Sequence, residues 1–116
     1  MNPTHDYREL LRDRGIPLGE HGIGEMALRR VDALRAVDLL RTASIPVLGG
    51  DVYIRYKARV ELAYANWHSE PEPGEKRQGF ATRSCLETET YIRGFPVSEA
   101  EPLFVLVIDE GASQEA

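Results

Sequence analysis

Apolar residues recur along this chain with changing periods, and each change of period marks an element. Tyr7, Leu10 and Leu11 share one face of a short helix over residues 5–14, with Thr4 or Asp6 available to cap it and Gly15 to stop it. Four glycines and a proline between residues 15 and 25 predict a loop, pinned to the body by Ile16, Leu18 and Ile23. Val31, Leu34, Val37 and Leu40 then keep the three-to-four spacing of a helix over residues 30–43. Ser44-Ile45-Pro46 ends that helix, because a residue before proline avoids the helical region.

After Gly49-Gly50, expected to be a turn with at least one residue at positive φ, the period becomes two. Residues 51–56 alternate Val52, Ile54 and Tyr56 against Tyr53 and Arg55. Residues 59–66 alternate Val60, Leu62 and Tyr64 against Arg59, Glu61, Ala63 and Ala65. This is the pattern of a hairpin turning near Lys57 with one buried and one wet face. It places Tyr56 and Tyr64 in the core and Tyr53 on the opposite face. SEPEPGE, residues 69–75, is a polar loop. Residues 76–93 form the second main helix, with Ala81, Cys85, Thr88 and Ile92 as its inward stripe, Tyr91 beside it, and Gly94 and Pro96 closing it. LFVLVI, residues 103–108, is apolar at every position, as a strand covered on both faces would be. The polar residues from Asp109 onward are expected to fray. The sum is an α+β fold: a small, mainly antiparallel three-stranded sheet with helices packed on one face and the other face partly open.

Length and composition narrow the class. The 116 residues suit one domain over 1–116, with a core at 20–108 and a polar tail at 109–116. The longest uncharged apolar run is the six residues 103–108, against about 20 for a membrane span. The start, MNPTHDYRELL, lacks the basic-then-apolar order of a secretory signal. A single cysteine, Cys85, excludes an internal disulfide and a multi-cysteine metal cluster. These features point to the cytoplasm and away from membranes. The net charge of −5 is uneven: residues 1–60 carry +2 and residues 61–116 carry −7. No basic block exists to neutralise phosphates, which argues against a nucleic-acid partner. The acidic half is a solubilising surface in the first instance, and a face for a basic partner in the second.

Little in the chain resembles catalytic machinery. GEHGIG, residues 19–24, lacks the preceding strand and the lysine-serine ending of a phosphate loop. His21 within it reads as solvated, and His5 as terminal surface. His68 would serve as a general base in a small hydrolase only if Asp51 or Glu61 converged with it in a cleft. Cys85, on an inward stripe, reads as a small hydrophobe. Glu70, Glu72 and Glu75 lie in a loop with no rigid frame for an acid–base pair. The expectation is a protein that is not an enzyme and needs no metal or cofactor. Interface-type residues are concentrated instead: Tyr53, Tyr56, Tyr64 and Trp67 fall within fifteen residues, interleaved with Asp51 and Glu61. The expected contact set is the hairpin end with the acidic loop: Asp51, Tyr53, Trp67, Glu70, Glu72 and Glu75.

The same segments carry a resemblance. GIGEMAL (residues 22–28), VDALRAVDLL (31–40), SIPVLGGDVYI (44–54), LAYANW (62–67) and LFVLVI together resemble the immunity protein 40 family of bacterial polymorphic toxin systems. The resemblance implies a cytoplasmic protein encoded beside a toxin that it neutralises by direct binding; the alternative is a protein-binding regulatory module without a toxin partner. A basic, nuclease-type toxin would suit the acidic half, with charge steering to speed capture.

Overall fold

The structure, a computed structural model, describes residues 3–19 and 25–111. His21 and Ile23, with the rest of residues 20–24 of the glycine-rich loop, and the last five tail residues lie outside the described residues. Helix α1, His5–Arg14, is followed by the short strand β1, Ile16–Pro17, and by β2, Met26–Arg29. Helix α2 spans Arg30–Thr42, the hairpin strands β3 and β4 span Val47–Tyr56 and Arg59–His68, helix α3 spans Arg77–Gly94, and β5 spans Glu101–Ile108. The fold is α+β, but the sheet is an antiparallel five-stranded one in the order β1-β2-β5-β3-β4. The three-stranded expectation missed β1 and β2. Both are too short to show an alternation, and β2 runs straight into α2.

The helices end where the chain chemistry predicts. Gly15 accepts the role of stop for α1, donating its N–H to the Leu11 carbonyl at 2.7 Å. Thr4 stands at the N-terminal cap of α1, where its Oγ1 accepts a hydrogen bond from Arg8 Nε at 3.1 Å. Past α2, Ser44 takes a left-handed φ of 57°, and the Ile45 N–H returns to the Leu40 carbonyl at 2.9 Å. The inward face of α2 is Ala33, Ala36, Val37 and Leu40, whereas Val31 points to solvent. The predicted stripe of α3 is buried throughout: Ala81, Cys85, Thr88 and Ile92, joined by Phe80 and Ser84. Burial pushes the Cys85 thiol up to about 11, so it is a protonated, inert group.

Gly49-Gly50 is not a turn but part of β3, and the reason is steric. Gly49 has a φ of 148°, the positive value anticipated for this pair, and any Cβ there would meet the Trp67 carbonyl. A Cβ on Gly50 would collide with the Trp67 ring and the Val105 carbonyl. Gly50 thus leaves room for the indole, and Gly49 for the backbone of β4 at Trp67 and His68. The hairpin turn itself falls at residues 57–58 as expected, with Lys57 at a φ of 57°.

The register of β3 with β4 contains a bulge. Val52 lies opposite Ala65, but the next residue, Tyr53, lies opposite Leu62, so Ala63 and Tyr64 have no counterparts. Above the bulge, Ala63, Ala65 and Trp67 pack on the main core; below it, Val60 packs on the opposite side of the sheet. The expected core tyrosines are therefore misplaced. Tyr64 is 88% exposed and Tyr56 48% exposed, while Tyr53 is buried at 6%. Strand β5 sits between β2 and β3 with residues 103–106 buried, as a strand covered on both faces should be. The start of the tail does not fray: the Asp109 N–H bonds the Pro46 carbonyl at 3.0 Å, Arg77 Nη1 lies 3.2 Å from the Asp109 carboxylate, and Gly111 is buried.

The core on the helix side joins α1, α2 and α3 to β2, β3 and β5 through Leu28, Leu40, Val47, Val52, Ile92 and Phe104. Phe104 is its centre: Phe95 meets it edge-on at 5.9 Å, Trp67 at 6.5 Å, and the Arg30 guanidinium lies 5.9 Å over its ring. Among the described residues no helix is long and apolar enough to cross a membrane.

Candidate partner-binding face

The sheet face turned away from α2 and α3 has two halves. Over one half Leu18, Ala27, Tyr53, Leu103 and Val105 form a second apolar cluster, bordered by Ile16 and Val60. The segment after α1 thus covers part of the face left open in the sequence reading. Tyr53 is built into this cluster, and its phenol is raised above its ordinary pKa by burial, then by the charges of Glu25 and Asp51.

The other half is a shallow trough lined by Leu48, Gly49, Gly50, Asp51, Asn66, Trp67, His68 and Val107. Asp51 lies opposite Asn66, and His68 lies opposite Gly49. The two glycines leave the floor as bare backbone, and Val107 remains 45% exposed at the wall. A floor of backbone amides and carbonyls, with a carboxylate, an amide and an imidazole around it, can accept a protruding polar or basic side chain. His68 and Asp51 do share this trough, as the hydrolase reading required, whereas Glu61 lies at the far end of the hairpin beside Tyr56 and Arg59. His68 is exposed and its charged neighbour is Glu70, at 3.7 Å. Among the described residues no hydroxyl or thiol is hydrogen-bonded to it.

Trp67 points the other way. Its ring stacks on Tyr91 at 4.6 Å, and its Nε1–H donates to Thr88 Oγ1 at 3.0 Å. That bond satisfies the fully buried Thr88 hydroxyl. The indole therefore fastens β4 to α3 while staying only partly buried.

The acidic loop has the frame that the sequence did not reveal. Ser69, buried where β4 ends, donates its N–H to the Leu48 carbonyl at 2.9 Å and its hydroxyl to Glu87 at 2.6 Å. Arg83 of α3 reaches back across the loop to both Glu75 oxygens at 2.9 and 2.8 Å, to Glu87 at 3.0 Å and to the Glu70 carbonyl at 2.7 Å. Its guanidinium also lies 5.4 Å over Phe80. The hydrogen bonds from Arg83 hold the Glu75 carboxyl down at about 2. Glu75 is thus occupied within the protein, while Glu70 and Glu72 project into solvent.

The six residues expected to contact a partner are consequently divided. Asp51, Glu70 and Glu72 are accessible, Tyr53 is enclosed in the second cluster, Trp67 is packed against α3, and Glu75 is clamped by Arg83. Sequence reasoning passed over Asn66 and placed Tyr64 in the core. The usable signal was a phase slip: Val60 and Leu62 alternate on one phase, and Ala63, Ala65 and Trp67 on the other.

The fold and this face define a small α+β protein with one sheet face sealed by helices and the other half open. The model of the Immunity protein 40 family matches residues 17–108, and the chain belongs to that family. No curated protein and no solved structure matches the chain.

Proposed function

We propose that this protein, read as a single immunity-type domain over residues 1–116, neutralises a cognate toxin of a bacterial polymorphic toxin system in the cytoplasm. It does so by direct contact, without catalysis or a cofactor. The observation that carries this reading is the family match over residues 17–108, which takes in four of the five strands and both long helices. The half-open face supports it: Asp51, Asn66 and His68 surround a trough, and Glu70 and Glu72 project from a loop that Arg83 holds in shape. A surface ordered before binding loses less conformational entropy on complex formation. The charge of −7 on residues 61–116 suits a basic, nuclease-type toxin, with steering in the encounter.

The test is co-expression with the toxin domain encoded beside the gene, scored by rescue of growth and by an isolable complex. A variant with Asp51, Glu70 and Glu72 each changed to lysine leaves the Glu75–Arg83 clamp intact. Its melting temperature should stay near wild type, and its association rate at low salt should fall about tenfold or more. Unchanged rate and salt dependence would remove the trough and acidic loop from the interface. Failure of the wild-type protein to protect cells or bind would remove the immunity role for that toxin.

A further inference from the structure

Exposed apolar side chains are unevenly placed, and three of them, Tyr56, Leu62 and Tyr64, lie within nine residues on the β3–β4 hairpin. Tyr64 stands out among them. It occupies the bulge of the outer strand β4 at a φ of 57°, a left-handed conformation that disfavours any residue with a Cβ. Its ring is 88% exposed, so burial offsets none of that cost. Glycine or asparagine would fit the backbone better and pack no worse. A strained backbone that displays a bare aromatic ring, two residues from Asn66 of the trough, is better explained by recognition than by stability.

We infer that Tyr64 is an anchor residue of this immunity protein, held out by the β4 bulge to enter an apolar pocket on the toxin. The inference rests on the toxin-binding reading and adds to it a contact outside the acidic set. Leu62, 37% exposed on the same strand, extends the apolar contact. The occupant is the toxin and not a second copy of the chain. A second β4 pairing along this edge would need an unbroken ladder, and the unpaired residues 63–64 interrupt it midway through the ten-residue strand. A heterologous partner needs only a pocket for the ring.

Tyr64→Gly separates recognition from folding, because it removes the ring and relieves the backbone together. Tyr64→Asn does the same with a residue that also tolerates this conformation, and Tyr64→Phe keeps the ring. Purified wild type and the three variants are titrated with the toxin domain encoded beside the gene, with melting temperature and sedimentation measured in parallel. Glycine and asparagine variants should melt at or above the wild-type temperature and bind about thirtyfold or more weaker, with phenylalanine within a fewfold of wild type. Wild-type binding matched by Tyr64→Gly overturns the anchor while leaving the immunity role intact. A wild-type dimer that Tyr64→Gly dissociates also overturns it, in favour of self-association. Absence of wild-type binding overturns the toxin reading and the anchor with it.

Discussion

On the helix-covered face of the sheet, Phe104, Val52, Val47 and Leu28 meet three helices and are sealed from water. On the opposite face Leu103, Val105 and Tyr53 are also buried, and among the described residues their cover is Leu18 and Ala27 with Ile16 and Val60 at the border. Neighbouring residues of one strand, Leu103 and Phe104, thus belong to two separate cores. The same opposite face ends, two residues along β3, in the polar trough at Asp51. Sheet faces in this protein are not uniformly core or surface. What covers each stretch decides its character, and among the described residues the cover on the second face is a few residues rather than a helix.

Paired truncations sharpen that contrast. Phe104→Ala should cost about 3–5 kcal/mol in urea unfolding, since it empties the centre of the larger core. Leu103→Ala should cost about 2–5 kcal/mol if the second cluster is a true core. A cost below about 0.5 kcal/mol, the range of an ordinary surface change, would mean that the second face is merely screened.

A smaller effect tests how β4 is fastened to the helix-covered side. Gly50→Ala places a methyl group against the Trp67 ring and the Val105 carbonyl. It should destabilise by about 1–3 kcal/mol, the usual range for overpacking. Thermal melting matching wild type would show that the indole can shift without loss, and that the glycine is not required there.

The least effect concerns the acidic loop beside the open half. Glu75 is held at about 2 in the folded protein against an ordinary 4.5, with hydrogen bonds from Arg83 as the main cause. A depressed folded value means that the bridge stabilises above pH 4.5 and is lost as pH falls toward 2. Glu75→Gln should therefore flatten the acid limb of the melting-temperature profile in that window and leave the shape near neutrality alone. An acid limb identical to wild type would show that the clamp contributes nothing measurable to folding.

Much of this architecture was legible in single segments. The stripe Ala81, Cys85, Thr88 and Ile92 emerged as a buried helix face because helical spacing survives any packing partner. The hairpin and its turn near Lys57 emerged from period two, and residues 103–106 from unbroken apolarity. The candidate site was less legible. Asp51, Glu70 and Glu72 are accessible as expected, but Tyr53, Trp67 and Glu75 are engaged within the protein. An aromatic next to carboxylates in sequence has no fixed neighbours in space.

The sequence by itself determined the three helices and the three longer strands, their inward faces where a single period runs unbroken, and the resemblance that the family match bears out. Tertiary structure alone decided which tyrosine is buried. Along β4, Val60 packs on the second-cluster side near the turn, whereas Ala63, Ala65 and Trp67 pack on the helix side farther along, and the bulge at residues 63–64 lies at the change of cover. It likewise decided that Gly49 and Gly50 lie within β3, against the backbone of β4 and the Trp67 ring respectively, rather than in a turn, and that Glu75 is held by Arg83. The physical reason is common to all three. Local periodicity specifies where a side chain points relative to its own backbone, whereas burial and ion pairing depend on what other segments bring to that place.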